Sequence, residues 1–253
     1  MKKTLLVLAS LGVFLNAQTL IEQQEESLVK GMLPSTKIEK VERSQVDGFY
    51  KAYLSNGNIF YLNPFKRVIF IGELYTTTGV SLTANDMQEW KSQLDNKLLK
   101  NTKIQELTQY AKKVKHGKGS NRYEFVIFTD PECPFCLRTE EFFEKENVDL
   151  YVNFYPLSFH PNAKKWSEQI LSSKNIKTAM KELRENKKDL DVSVSTEAKN
   201  TLENMMKLGE KLNIQGTPKL FVIDKKENKI VESIDGANIK KFQDYLAKDK
   251  NEK

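Results

Sequence analysis

Cys133-Pro134-Phe135-Cys136 constrains this chain more than any other stretch. These are the only two cysteines in 253 residues, and two residues separate them. The apolar run Phe125-Val126-Ile127-Phe128 comes just before them, and Leu137, Phe142 and Phe143 follow at helical spacing among charged residues. That order predicts a buried strand, a tight loop and a helix whose first turn holds both sulfurs. The first N–H groups of a helix have no intrahelical partner, so the helix start is electropositive and favours a thiolate. Cys133 is therefore expected to be the attacking thiolate and Cys136, one turn further in, the resolving thiol.

Other uses of a paired cysteine fit less well. A structural zinc ion needs about four ligands, and the only histidines, His116 and His160, each stand alone in the sequence. Covalent haem attachment would need histidine after the second cysteine, where this chain has Leu137. A disulfide closing so small a loop would constrain little unfolded chain. The expectation is a redox-active dithiol with no metal and no cofactor beyond the Cys133–Cys136 disulfide; a metal pair and an inert bridge remain as weaker alternatives.

The first residues give an address. Lys2 and Lys3 precede an apolar run from Leu5 to Leu15 that ends at Asn16-Ala17. This is the pattern of a secretory signal peptide (1–17) cleaved after Ala17, and the run is too short to span a bilayer. An uncleaved anchor is the alternative. The expected product is an exported, periplasmic protein with no stable membrane insertion, in keeping with a mean hydropathy of −0.55. In an oxidising compartment a lone cysteine pair is better suited to work on other proteins' disulfides than to staple its own fold. The net charge of +6 includes Lys2 and Lys3. The remaining lysines are scattered among acids, as at Lys112-Lys113, Lys187-Lys188 and Lys225-Lys226. That describes a solvated surface and predicts no nucleic-acid partner. A chain of this length predicts more than one domain.

Taken in order, Thr19–Leu33 predicts a short amphipathic helix through Leu20, Ile21, Leu28 and Val29. Strands are expected at Lys37–Val46, Phe49–Ser55, Ile59–Leu62 and Val68–Leu74, with Thr76-Thr77-Thr78 and Val80 extending the last past Gly79. Asn56-Gly57 predicts a type I′ hairpin turn, since both residues tolerate positive φ. A sheet with open edges and a thin core suits pairing with another chain. From Ala84 to Lys115 the period turns helical, with Thr83 or Asn85 as cap and a bend at Asn101-Thr102. His116-Gly117-Lys118-Gly119-Ser120 reads as a flexible joint with His116 exposed. Beyond Tyr123 come a strand, the cysteine helix, a strand Val148–Tyr155, and a loop Pro156–Pro161 containing His160. Helices follow at Ala163–Ser172, Ile176–Glu185 and Thr196–Leu212. After Gly216-Thr217-Pro218 come strands Leu220–Ile223 and Lys229–Ile234 and a last helix from Asn238 to Ala247.

Phe128-Thr129-Asp130-Pro131-Glu132-Cys133-Pro134-Phe135-Cys136, together with Gly216-Thr217-Pro218 opening a late strand, resembles the periplasmic thiol–disulfide proteins of the DsbC/DsbG type. The order of modules resembles that family across the whole mature chain. The resemblance implies an α+β, cystatin-like N-terminal dimerisation domain (18–83) of small sheet plus helix, then a linker helix and hinge (84–119). It implies a C-terminal α/β thioredoxin-like catalytic domain (120–253) with a helical insert at about 160–212. It further implies a homodimer with a shared cleft, a cis Pro218, and Thr217, Pro218, Pro134 and Phe135 as substrate-binding residues beside catalytic Cys133 and Cys136. There the Thr217 backbone would pair with an extended client segment.

The chain also departs from the pattern. It has no second cysteine pair, and Ile127 stands where thioredoxin carries a buried acid, so proton transfer to Cys136 must use another group or water. Glu132, the nearest carboxylate in sequence, is expected to raise the Cys133 pKa; Asp130 reads as a loop or cap residue. Phe135 is not the histidine that would favour the thiolate further.

The expected activity is disulfide isomerisation or reduction in misfolded exported proteins through a mixed disulfide at Cys133. A membrane reductase of the DsbD type would supply electrons. A dimeric oxidase donating its disulfide and a chaperone using the dimer cleft are the alternatives. Phe65, Phe70 and Tyr75 either line that cleft or belong to the sheet core.

Overall fold

A computed structural model describes residue 20 and residues 22–251, so the expected signal peptide and Ile21 lie outside the described residues. The chain divides into two compact units, Met1–Leu94 and Asp95–Lys253.

In the first unit a helix over residues 22–32 (α1) precedes four strands. These are β1 (Ile38–Arg43), β2 (Tyr50–Leu54), β3 (Ile59–Asn63) and β4 (Val68–Phe70), antiparallel in the order β1-β2-β3-β4. Every residue of β2 is buried, because the sheet is covered on both faces. Tyr50, Ala52 and Leu54 meet Val29 of α1, and Tyr53 turns the other way, toward Trp90. Trp90 lies on α2 (Leu82–Asn101) and donates its indole N–H to the Leu54 carbonyl at 2.8 Å.

Local chemistry here differs from the sequence expectation in three places. The β2–β3 turn is not type I′, because Gly57 takes a φ of +86° while Asn56 keeps a negative φ. Asn56 instead accepts the Asn58 N–H on its side chain, and Leu54 pairs with Asn58 across a three-residue loop, the bulged alternative to the two-residue hairpin. The last strand does not run past Gly79; Thr76–Val80 closes a tight turn between Tyr75 and Ser81. Ser81 caps α2 by accepting the Ala84 N–H, since the Thr83 hydroxyl is occupied by Tyr61 OH and the Leu74 N–H.

The second unit holds a five-stranded sheet in the order β5-β7-β6-β8-β9. Its elements after α2 are α3 (Ile104–Thr108), β5 (Lys112–His116), β6 (Tyr123–Thr129), α4 (Pro134–Glu144), β7 (Val148–Phe154), α5 (Ala163–Ser172), α6 (Ile176–Asn186), α7 (Thr196–Lys211), β8 (Lys219–Asp224), β9 (Lys229–Asp235) and α8 (Ile239–Lys250). β6 and β7 are parallel; β5 joins β7, β8 joins β6 and β9 joins β8, all antiparallel. This is a thioredoxin-like α/β layer with helices α5–α7 inserted between β7 and β8.

Residues 112–116 form a strand where the sequence predicts helix through Lys115. They pair with β7 from Lys112↔Val152 to His116↔Val148. Lys-Lys-Val-Lys-His alternates over only five residues, too short to stand out against the helical run before it. Its lysines suit an edge strand. The same pairing turns His116 inward, where it is 4 % exposed, against the expectation of an exposed joint.

β6 is the centre of the unit and is buried throughout. By strand alternation, Phe125 and Ile127 face Phe143 of α4, Phe242 of α8 and Trp166 and Ile170 of α5. Val126 and Phe128 face Leu107, Leu208 and Phe221 on the opposite side. Phe143 is fully buried, with ring centroids 5.0 Å from Phe125 and 5.2 Å from Phe242, and this stack holds the cysteine helix on the sheet. Asp249, near the end of α8, accepts the backbone N–H groups of Asn121, Arg122 and Tyr123 and so fixes the entry into β6. Phe143→Ala is expected to cost about 3–5 kcal/mol, read as a lower denaturant midpoint for the C-terminal unit with an unchanged slope.

Candidate active site

α4 begins where β6 ends and the chain turns sharply through Asp130–Glu132. Cys133 occupies the N-cap position with extended backbone (φ −76°, ψ 121°), and Pro134 follows inside the first turn, where its missing N–H costs nothing. Both cysteines are free thiols in this structure. Cys133 is 4 % exposed and Cys136 fully buried, so only the first sulfur borders solvent.

The two sulfurs have opposite acidities. The Cys133 thiol is held down at about 5, chiefly because the Cys136 thiol donates to it. Its partial burial opposes this, while the Cys136 and Phe135 N–H groups and the Thr217 side chain reinforce it. Those N–H groups point at the sulfur without forming a cap hydrogen bond of full geometry; the helix start acts through its field. Burial pushes the Cys136 thiol well above its usual range, and its hydrogen bond to Cys133 adds to the effect. One thiolate and one retained proton follow from one contact.

Thr217 and Pro218 come from the loop before β8, and the bond between them is cis. The Thr217 carbonyl lies 3.5 Å from the Cys133 sulfur, which donates to it as the thiol. The Thr217 hydroxyl is buried without a hydrogen-bond partner of full geometry and favours ionisation of either sulfur. Five of the six expected site residues thus meet here: Cys133, Pro134, Cys136, Thr217 and Pro218. The sixth, Phe135, lies in the first turn of α4 but turns outward at 60 % exposure.

A second loop reaches the site from the end of β7. Asp130, fully buried, donates its N–H toward the Cys136 sulfur at 3.4 Å. One of its carboxylate oxygens accepts the Leu157 N–H at 2.7 Å and meets His160 Nδ1 at 2.9 Å; the other accepts the Glu132 N–H. Asp130 thus ties three segments together, more than the loop or cap residue its sequence position suggested. Desolvation works against a charged His160, but the Asp130 carboxylate, with help from Cys133 and Glu132, outweighs it and raises the imidazole pKa. A histidine is therefore tied to the cysteine loop through Asp130, at residue 160 rather than residue 135. Glu132 turns away: its carboxylate accepts the Asn162 backbone and side-chain N–H groups at 2.7 and 3.1 Å. Phe159 stands 72 % exposed beside His160, so the start of α4 and the loop after β7 each present one exposed aromatic ring.

A third group was not legible as functional. Glu140, one turn beyond Cys136 on α4, is buried and accepts the Thr129 hydroxyl at 2.8 Å. Burial pushes its carboxyl up to about 7, against the Thr129 hydrogen bond and the Arg184 charge, which lower it. The i, i+4 spacing from Cys136 was the available signal, hidden among Glu140, Glu141 and Glu144. Among the described residues no group of three or more His, Cys, Asp or Glu side chains stands together in a way that could hold a metal ion. No described helix is long and apolar enough to cross a membrane.

Two family models match the chain, one in each part. Residues 17–84 match the family model described as the disulfide bond isomerase protein N-terminal domain, and residues 110–249, over half the chain, match the thioredoxin-like domain. A probable thiol:disulfide interchange protein DsbC of Bordetella avium (strain 197N) is 27% identical over 112 residues, 44% of this chain and 39% of that protein. The chain thus aligns with less than half the length of that curated relative. Among solved structures, a disulfide interchange protein from Neisseria gonorrhoeae has 23% identity and a TM-score of 0.46, covering 56% of this chain and 96% of that one. DsbA2 of Pseudomonas aeruginosa has 17% identity and a TM-score of 0.44, covering 54% and 94%.

A depressed thiol pKa favours the folded, reduced form most above the unfolded thiol's pKa, about 8.5. That contribution is lost as pH falls through about 5. Alkylation of reduced protein with iodoacetamide is accordingly expected to inflect near pH 5 and to be flat at neutral pH. Cys136→Ala, which removes the main donor to the thiolate, is expected to move the inflection upward. An inflection near 8.5 in the unmodified protein would contradict the geometry.

Proposed function

Because the chain belongs to the thioredoxin superfamily, with the two-domain plan of its DsbC-type members, we propose that it is a thiol–disulfide oxidoreductase acting as a protein disulfide isomerase or reductase. The observation that carries this reading is the pairing of an acidic Cys133 with a buried, proton-retaining Cys136 beside the Thr217 carbonyl. Cys133 thiolate attacks one sulfur of a client disulfide, forming a mixed disulfide and releasing the other client sulfur as thiolate. That freed thiolate attacks elsewhere in the client and the new disulfide expels Cys133, or Cys136 attacks Cys133 and leaves the client reduced. The backbone carbonyl of Thr217 offers an acceptor to an extended client segment. Exposed Phe135 and Phe159 give apolar side chains somewhere to rest, which suits an unfolded client.

Sites of assembly and electron supply complete the reading. We assign the protein to the periplasm as a homodimer, resupplied with electrons by a membrane reductase of the DsbD type. Support for the dimer comes from β4, an edge strand exposed along its whole length. Phe65 and Ile71 nearby are each 70 % exposed and Tyr75 62 %, so these residues are not buried sheet core in the single chain. An edge and an apolar patch together suit a second copy of the chain.

An oxidase is the second reading, and the acidic Cys133 also supports it: stabilising the thiolate stabilises the reduced form and makes the disulfide a stronger oxidant. Redox state in the cell separates the two. Acid quenching followed by thiol alkylation is expected to trap Cys133 and Cys136 mainly reduced, and purified protein is expected to reactivate scrambled ribonuclease; Cys133→Ala should abolish that reactivation. A wholly oxidised pair would reject the isomerase in favour of the oxidase, and full protection of an unfolding client by Cys133→Ala would favour a chaperone.

A further inference from the structure

Cys136 must lose a proton before it can resolve a mixed disulfide, yet it is fully buried and its thiol is strongly disfavoured as an anion. The residue before the cysteine loop that would carry a buried acid in thioredoxin is Ile127, here wholly within the core. The structure offers a different acid. Thr129, the last residue of β6, is fully buried, and its hydroxyl lies beside the Cys136 sulfur while donating to Glu140 Oε1 at 2.8 Å. In the reduced pair the Cys136 proton is held by Cys133. Once Cys133 is tied up in a mixed disulfide that acceptor is gone, and because a hydroxyl carries one donor and two acceptor lone pairs, Thr129 can accept from the Cys136 thiol while still donating to Glu140. We infer that Glu140, reached through the Thr129 hydroxyl, is the proton acceptor for Cys136 when that thiol resolves a mixed disulfide at Cys133.

The step balances within the exchange reading on which it rests. The Cys136 S–H proton passes to the Thr129 oxygen as the Thr129 proton passes to Glu140. Cys136 Sγ then attacks Cys133 Sγ; the Cys133–Cys136 bond forms, the Cys133–client bond breaks, and its electron pair leaves on the client sulfur. The cysteine pair is oxidised, the client reduced, and Glu140 is left protonated. In the reverse direction the same carboxylic acid returns the proton to Cys136 as the disulfide opens.

The surroundings of Glu140 suit this work. Its carboxyl titrates at about 7, near the pH at which an acceptor works best. Arg184 of α6 lies 4.0 Å away but is shared with Glu144 at 2.7 Å and Glu141 at 4.0 Å, so it holds Glu140 only loosely as the anion. A small pocket borders Glu140, and its polar lining comprises His116 of β5, Glu144 of α4, and Lys177 and Arg184 of α6. His116 is kept neutral by its burial and by Lys177.

The test separates the two chemical steps. Reduced protein mixed with a limiting amount of 5,5′-dithiobis(2-nitrobenzoate) releases one coloured thiolate when Cys133 attacks and a second when Cys136 resolves the mixed disulfide. Glu140→Gln keeps the volume and the Thr129 hydrogen bond but takes no proton. It is expected to slow the second release by roughly tenfold or more at neutral pH, to leave the first unchanged, and to abolish the inflection of the second near pH 7. Thr129→Val, which removes the hydroxyl, should do the same, and Thr129→Ser should retain the wild-type rate; this pair carries the test if Glu140→Gln does not fold. A second release within about threefold of wild type, with its inflection intact, overturns the inference and leaves disulfide exchange standing. No first release from the unmodified protein would reject the exchange reading itself.

Discussion

A single contact between two sulfurs organises the catalytic unit. The Cys136 thiol donates to Cys133, so the proton that one sulfur gives up is matched by the proton the other keeps. Neither half of that arrangement would survive alone. Without the start of α4 and the Thr217 side chain, Cys133 would have less reason to ionise; without the closed packing of β6 and α4, Cys136 would exchange its proton with water. The stack of Phe125, Phe143 and Phe242 holds α4 against the sheet.

The parts of this plan that sequence makes plain are those where local pattern and tertiary environment agree. Phe125–Phe128 is apolar without interruption because β6 is covered on both faces, and the proline after Cys133 matches a helix start. Chain segments that take their role from distant partners are the ones a linear reading misses. Lys112–His116 has almost no pattern of its own and becomes a strand because β7 supplies hydrogen bonds, which also buries His116. Asp130 looks like an ordinary turn residue until the loop after β7 closes over it and brings His160. Glu140 sits among neighbouring acids on a charged helix, and only the fold turns it inward toward Thr129.

The same distinction applies to the first unit. Its sheet order follows from short hydrophobic runs separated by turns, and those runs are readable. The turn at Ser55–Gly57 is harder, because Asn56 can either take positive φ or use its side chain to hold Asn58; here it does the latter. Ser81, rather than Thr83 or Asn85, caps α2 because Tyr61 claims the Thr83 hydroxyl.

Asp249 joins the last turns of α8 to the first residues of β6. The strand that delivers the cysteines is therefore anchored by a carboxylate contributed from more than a hundred residues downstream. Loss of the final helical turn to a protease would strip three backbone donors of their acceptor and fray the head of that strand. Damage at the C-terminal edge would then be felt at the sulfurs, with every residue around them still present.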